Sequence, residues 1–285
     1  MIHSMTGYGK AEQQFEDKNY VLELRSLNSK GLELNARIPS YIREMEIQLK
    51  KKLGERLNRG KIDLSLYIED LKESRAKTIN VATVNAYIDQ LKSIENGDRM
   101  ALLDMALKLP DTLKTEIEDF EEGEMLHIES LLENAIEKLN QFRAEEGKIL
   151  ETEFNKRLNN LMHLLDEIEK IDPERSTFIQ QKLKSALDTL ALEIDQNRFE
   201  QELIYYLEKY DITEEKVRLK NHIDYFNKTL QGAVSNGKKM GFIAQEMGRE
   251  INTIGSKANH AGLQKLVIQM KDELEKIKEQ LLNVL

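Results

Sequence analysis

The period of the apolar residues changes once along this 285-residue chain, and that change decides what the chain can fold into. Up to about residue 70 apolar and polar side chains alternate. Leu32, Leu34, Ala36 and Ile38 alternate with Glu33, Asn35 and Arg37, and Ile62, Leu64, Leu66 and Ile68 with Asp63, Ser65, Tyr67 and Glu69. A period of two is that of a half-buried strand. Two further strands are expected around Met5–Gln14 and Tyr20–Leu27, joined by the polar turn Glu16-Asp17-Lys18-Asn19. Pro39-Ser40 starts a helix with Ile42, Met45, Leu49, Leu53 and Leu57 at helical spacing, and Asn58-Arg59-Gly60 ends it. The predicted order is β-β-β-α-β, an antiparallel sheet with one helix.

From about Asn80 the period is almost wholly helical. Asn80 or Thr83 caps a helix reaching Ile94. A long segment from about Gly123 to Ile171 carries Ile128, Leu132, Ala135, Leu139 and Phe142, then Leu150, Phe154, Leu158, Leu161, Leu165 and Ile168. Such spacing predicts a long helix or a coiled-coil hairpin arm. Asp172-Pro173 is expected to break it, with more helix to about Lys209. Leu263, Leu266, Met270, Leu274, Ile277 and Leu281 close the chain as a heptad-like stripe. The class is therefore α+β: an N-terminal sheet layer, then a mostly helical region with long coiled-coil-like arms. Three regions are expected, at 1–75, 76–210 and 211–285. Arms of this kind suit self-association, and intramolecular packing explains them equally well.

Absences narrow the function. The chain has no cysteine, which removes disulfide frameworks, zinc-finger spacings and thiol nucleophiles. Neither G-x-S-x-G nor H-E-x-x-H occurs, and no phosphate-loop or dinucleotide glycine pattern is present. His3, His127, His163 and His260 have no ligand-like spacing. The first residues lack the basic start and apolar run of a signal peptide, and no apolar run reaches the roughly 18 residues of a membrane helix. A cytoplasmic protein with no membrane partner is the expectation.

A net charge of −9 looks unsuited to nucleic acid, but it is unevenly spread. Residues 1–62 hold 12 basic and 8 acidic side chains, residues 63–210 hold 18 and 33, and residues 211–285 hold 12 and 10. An acidic middle leaves two mildly basic ends able to meet a polyanion; solvated glutamate-rich helices account for the middle equally simply.

Two helices with matching charged stripes stand out. Asp211-Ile212-Thr213-Glu214-Glu215 reads as a helix start, with Asp211 as cap and Glu214 at the capping-box position. Ile212, Leu219, Ile223, Phe226 and Leu230 form its apolar face, and one residue behind run Asp211, Glu215, Arg218 and His222. The helix near Lys239–Ser256 repeats the arrangement. Met240, Ile243, Met247, Ile251 and Ile254 are apolar, with Glu246, Glu250, Thr253 and Lys257 behind them and Arg249 and Asn252 beside. If Gly232–Gly237 turns the chain back, the stripes face one another. Such a cleft suits phosphodiester hydrolysis. Carboxylates can hold Mg²⁺ or Mn²⁺, histidine moves protons near neutral pH, and Arg and Lys meet phosphoryl charge. The same residue types at these spacings also form ordinary surface ion pairs. Arg25, Asn28, Ser29, Lys30 and Arg37 can touch RNA from a strand face, or merely solvate it.

Ser4-Met5-Thr6-Gly7-Tyr8-Gly9, Glu23-Leu24-Arg25-Ser26-Leu27-Asn28 and Arg143-Ala144-Glu145-Glu146-Gly147 resemble the YicC/YloC family. The densest resemblance is C-terminal: Asp211-Ile212-Thr213-Glu214-Glu215, Arg218-Leu219, His222, Gly237-Lys238-Lys239, Gln245-Glu246-Met247, Arg249-Glu250-Ile251-Asn252-Thr253 and Gly255-Ser256-Lys257. The match is collinear and spans nearly the whole chain. The resemblance implies a metal-dependent endoribonuclease using Mn²⁺ or Mg²⁺, assembled as a ring-like homo-oligomer, a hexamer, whose helical arms close around RNA.

On this reading Glu246 and Glu250 are the leading metal ligands, with Asp211 or Glu215 completing the shell. His222 is the acid/base or a further ligand. Arg218, Arg249, Asn252 and Lys257 hold phosphate, with Arg25 and Lys30 as RNA contacts on the sheet. Two positions depart from the family pattern. Gly248 stands where Asn is common, and Ser29-Lys30-Gly31 stands where many members carry a His-Arg pair. The alternative function is a non-catalytic RNA-binding adaptor that presents RNA to another nuclease; a purely structural coiled-coil assembly is a third.

Overall fold

Alternation before residue 70 builds the sheet as expected, with one difference in direction. In a computed structural model, which describes residues 2–71, 78–95, 97–114, 122–189, 196–232 and 236–285, the strands are β1 (Gly7–Phe15), β2 (Lys18–Leu27), β3 (Leu32–Arg37) and β4 (Gly60–Asp70). They pair in the order β1-β2-β4-β3. β1 with β2 and β2 with β4 are antiparallel, but β3 runs parallel to β4. The sheet is thus mixed, where a wholly antiparallel one was expected. The cause is the connection: a helical crossover returns the chain to the end from which it started, which a hairpin does not. That crossover is a 3-10 turn (Ser40–Met45) followed by α1 (Glu46–Arg56).

One face of the sheet is buried. Tyr20, Leu22, Leu24, Ile62, Leu64 and Leu66 pack against Leu49 and Leu53 of α1, Leu57 just after it, and Ile128, Leu132, Ala135 and Leu139 of α4 (Glu122–Thr189). Contact is closest at Gly9, where a Cβ would lie 2.1 Å from the Ala135 carbonyl oxygen. The opposite face, bearing Arg25 and Tyr67, is open to solvent.

α4 runs unbroken through Pro173, which corrects the expected break at Asp172-Pro173. Proline removes one helical hydrogen bond and crowds the preceding turn. Here contacts on both sides hold the turn: Ile168 is in the core, and Asp172 pairs with Arg175 at 3.2 Å and with Lys216 at 2.6 Å.

The second core joins the later part of α4 (Leu150, Phe154, Leu158, Leu161, Leu165) to α6 (Thr213–Leu230), α7 (Gly237–Lys257) and α8 (Ala261–Leu281). The α8 stripe Leu263, Leu266, Met270, Leu274, Ile277 and Leu281 is buried inside this bundle, so intramolecular packing accounts for it. The two cores share α4 and are clasped by the chain ends. Met5 donates its N–H to Asn283 at 2.7 Å, and the Leu285 N–H donates to His3 at 3.0 Å. Buried Arg143 backs the clasp, donating to Ser26 Oγ (2.6 Å) and to the carbonyls of Met5 and Arg59. Burial lowers its pKa to about 10. At Gly147 a Cβ would lie 1.9 Å from the Ile2 carbonyl oxygen. The motifs at residues 4–9 and 143–147 are therefore architectural: each places a glycine where two backbones touch.

A small unit, β5 (Thr78–Ile79), α2 (Val81–Ile94), α3 (Arg99–Leu107) and β6 (Leu113–Lys114), has its own cluster of Val84, Ile88, Leu102 and Ala106. Asn80 is the cap of α2, accepting from the Thr83 N–H. Helix α5 (Gln196–Lys209) precedes the C-terminal bundle. Among the described residues no helix is long and apolar enough to cross a membrane.

Candidate functional site

The groove between α6 and α7 is set by two contacts across it. Lys257, in the last turn of α7, donates to Glu215 Oε1 at 2.8 Å and to the Asp211 backbone oxygen at 2.9 Å, both at the start of α6. Near the other end, Lys239 Nζ of α7 sits 4.8 Å above the ring of Tyr225 of α6. The helices are therefore antiparallel, and one residue of each charged stripe, Lys257 and Glu215, meets the other across them. Glu250 lies seven residues back from Lys257 and His222 seven on from Glu215, each about 10 Å along its axis. That brings Glu250 and His222 to the same level, between the two closing contacts.

The start of α6 differs in detail from the capping-box expectation. The cap position is Ile212, not Asp211 as expected, and it makes no side-chain cap bond; Asp211, one residue before it, accepts at Oδ1 from the Thr213 hydroxyl at 2.7 Å and from the Thr213 N–H at 3.1 Å. Those bonds, with the nearby Lys257 and Arg175 cations, hold its carboxyl below the usual aspartate range. Glu214 turns instead to Arg218, one helical turn on.

The named residues fall into groups. Glu215 and Glu250 are buried at 7% and 8% exposure. Glu215 is paired through Oε1, while its Oε2 is buried without a hydrogen bond. Neither Glu250 nor half-buried His222 makes a side-chain hydrogen bond or ion pair with another described residue. Glu246 pairs with Arg249 at 3.0 Å, and Arg249 points largely to solvent. Asn252 is exposed and stands about 200° round the helix from Glu250, away from the groove. Arg25 and Lys30 lie on the N-terminal sheet layer, not in this groove. Arg25 pairs with Glu23 at 3.2 Å and lies over Tyr8, and Lys30 is exposed. Gly248 faces α8, because a Cβ there would meet Leu274 Cδ2 at 3.3 Å. The departure from the family pattern at 248 therefore does not alter the groove.

Three charged residues beside the groove have no periodic signal in sequence. Asp172 and Arg175 of α4, with Lys216 of α6, form the ion-paired cluster noted above. Arg175 lies close enough to lower the Asp211 pKa. Reading Pro173 as a helix end hid this cluster; a helix continued through it would place residues 172 and 175 one turn apart beside α6.

Among the described residues no three His, Asp or Glu side chains lie together as ligands of an ion. A closed protein cage is thus not what one chain presents. Buried Glu250 beside Glu246, one turn away on the same stripe, fits the open kind of site. There, Mg²⁺ takes one or two carboxylates and completes its shell with water and substrate phosphate.

Known proteins share this layout in sequence. Residues 2–152 match the family model described as "Endoribonuclease YicC-like, N-terminal region", and residues 168–285 match "Endoribonuclease YicC-like, C-terminal". The "Probable endoribonuclease YicC" of Clostridioides difficile (strain 630) is 35% identical over 295 residues, covering the whole of both chains. The protein of the same name from Haemophilus influenzae (strain KW20 / Rd) is 29% identical over 290 residues, again covering both chains completely.

Proposed function

Because the chain belongs to the YicC-like endoribonuclease family, we propose that it is an endoribonuclease whose reaction takes place in the α6–α7 groove. The observation that carries this reading is Glu250. A carboxylate on a residue only 8% exposed, with no side-chain partner among the described residues, is free to meet a cation, a proton or a ligand. It sits level with His222, the one histidine of the groove.

In the proposed reaction RNA lies along the groove. Glu250 takes a proton from the attacking water as its oxygen bonds to phosphorus, the bond from phosphorus to the leaving ribose oxygen breaks, and His222 gives that oxygen its proton. Exposed Arg218 and Arg249 leave their weak ion pairs to meet the phosphoryl oxygens. Lys257 keeps Glu215 in place and fixes the spacing of the two helices. A divalent ion, Mn²⁺ or Mg²⁺, would be held by Glu250 and Glu246, and when bound it would polarise the phosphate. Asp211 is occupied by Thr213 at the helix start.

The reading includes self-assembly into a ring-like homo-oligomer, a hexamer, acting in the cytoplasm as a clamp on RNA. What supports assembly is exposed apolar surface on the small unit around α2 and α3, including Val81, Ile94, Met100 and Met105.

The deciding experiment incubates a short labelled RNA with the purified protein in Mn²⁺, in Mg²⁺ and in EDTA, beside Glu246→Gln and Glu250→Gln. Cleavage that needs metal and is lost in both variants is expected. RNA that is bound but never cut in any metal would replace this reading with the adaptor.

A further inference from the structure

At the outer edge of the sheet, where β3 ends and the 3-10 turn begins, the surface forms an open pocket of about 610 Å³. It is lined by Arg37, Arg43, Tyr67, Ser40, Glu46 and Ile38 among others. Arg37, Arg43 and Tyr67 are all exposed. Neither arginine has an ion pair or side-chain hydrogen bond with another described residue. The lining carboxylate, Glu46, is occupied by Lys50 at 2.7 Å, which with nearby Arg43 holds its carboxyl below the usual glutamate range. The pocket thus has two guanidinium groups without an ion pair to a described residue, beside Tyr67, which is 53% exposed. Guanidinium groups bind phosphate bidentately, and an exposed ring on a sheet is where single-stranded RNA stacks a base.

We propose that this pocket is a nucleotide subsite for single-stranded RNA, with Arg37 and Arg43 on the phosphate and Tyr67 stacked on the base. It lies on the sheet, apart from the α6–α7 groove, and it serves to hold RNA, not to cut it. The inference rests on RNA being the substrate. Charge complementarity favours this occupant: apart from Leu66 and Tyr67 of β4, the pocket belongs to residues 1–62, where basic side chains outnumber acidic ones 12 to 8.

The test is fluorescence anisotropy of a labelled single-stranded RNA over a series of salt concentrations, with a gel check that the RNA stays intact. It compares the full-length wild type, Arg37→Ala/Arg43→Ala, Tyr67→Ala and Tyr67→Phe. All three positions are exposed, and an unchanged melting curve confirms that each variant folds. The double arginine variant should weaken binding by about tenfold or more and reduce the salt slope by about 0.7 for each phosphate that is no longer neutralised. Tyr67→Ala should weaken it about fivefold or more, and Tyr67→Phe should retain it. Wild-type binding and cleavage with unchanged affinity and slope in the variants would overturn the subsite and leave the endoribonuclease reading intact. A wild type that neither binds nor cuts RNA would overturn both. Equally tight binding of a labelled mononucleotide would reassign the pocket to a free nucleotide.

Discussion

Lys257 and Glu215 hold one end of the α6–α7 groove closed, with Nζ 2.8 Å from Oε1 and the second carboxylate oxygen of Glu215 buried without a hydrogen bond. Removing one partner of a buried pair leaves the other charge uncompensated, which costs about 3–5 kcal/mol where both are deeply buried. Lys257 is about one-third exposed, so the cost is smaller here. Lys257→Met should lower unfolding stability by about 2 kcal/mol in a urea titration, and Glu215→Gln/Lys257→Met should recover most of it. A Lys257→Met protein as stable as wild type would show that the pair does not position the groove.

Asp211, just before α6, gives the bundle an acid-sensitive element. Its carboxyl is lowered first by the Thr213 hydroxyl, then by the Thr213 N–H and by Lys257 and Arg175. A carboxyl whose pKa is lower folded than unfolded contributes stability that is complete above the unfolded value, about 3.9, and lost as pH falls through the folded one. Asp211→Asn should therefore flatten the stability profile below about pH 4, leaving it nearly parallel to wild type above pH 5. Unfolding titrations at several pH values check this; identical acid limbs would remove Asp211 from the linkage.

Much of this was legible in sequence because it is periodic. Alternation placed the strands, and the three-and-four spacing placed α6 and α7 and the stripe residues Glu215 and Lys257 that meet across them. Direction and depth were not legible. Nothing in Leu32–Arg37 says that it pairs parallel to β4; the length of the α1 crossover does. Nothing local says that a helix survives Pro173, since the contacts that hold it come from Lys216, 43 residues later. Asn252 and Glu250 are two residues apart in one motif, yet the helix sends them to different sides. The depth of Glu250 depends on how closely α6 and α7 approach, which no stripe encodes.

Glycine substitutions separate close packing from helix propensity. Gly9→Ala would put a Cβ 2.1 Å from the Ala135 carbonyl oxygen, so β1 must move off α4, at about 3 kcal/mol or more. Gly241→Ala has nothing within 4 Å and lies within α7, so it should stabilise by up to about 1 kcal/mol. Thermal melts should rank Gly241→Ala above wild type and Gly9→Ala well below it. Any other order would contradict the close approach of β1 to α4.

Glu250 offers a way to tell a functional carboxylate from a structural one. A structural glutamate is held by partners, and neutralising it strands them, so stability falls. Glu250 has no partner among the described residues, so neutralising it strands no other side chain. Glu250→Gln keeps the shape and removes the charge. Unfolding stability should hold, while RNA cleavage falls by roughly a hundredfold or more. His222→Ala should lose activity on the same scale with little change in RNA affinity, since its proposed role is proton transfer, not binding. For Glu250, activity must fall without a fall in stability. A Gln variant that loses stability and activity together would mean that the glutamate holds the bundle in place and that the chemistry lies elsewhere.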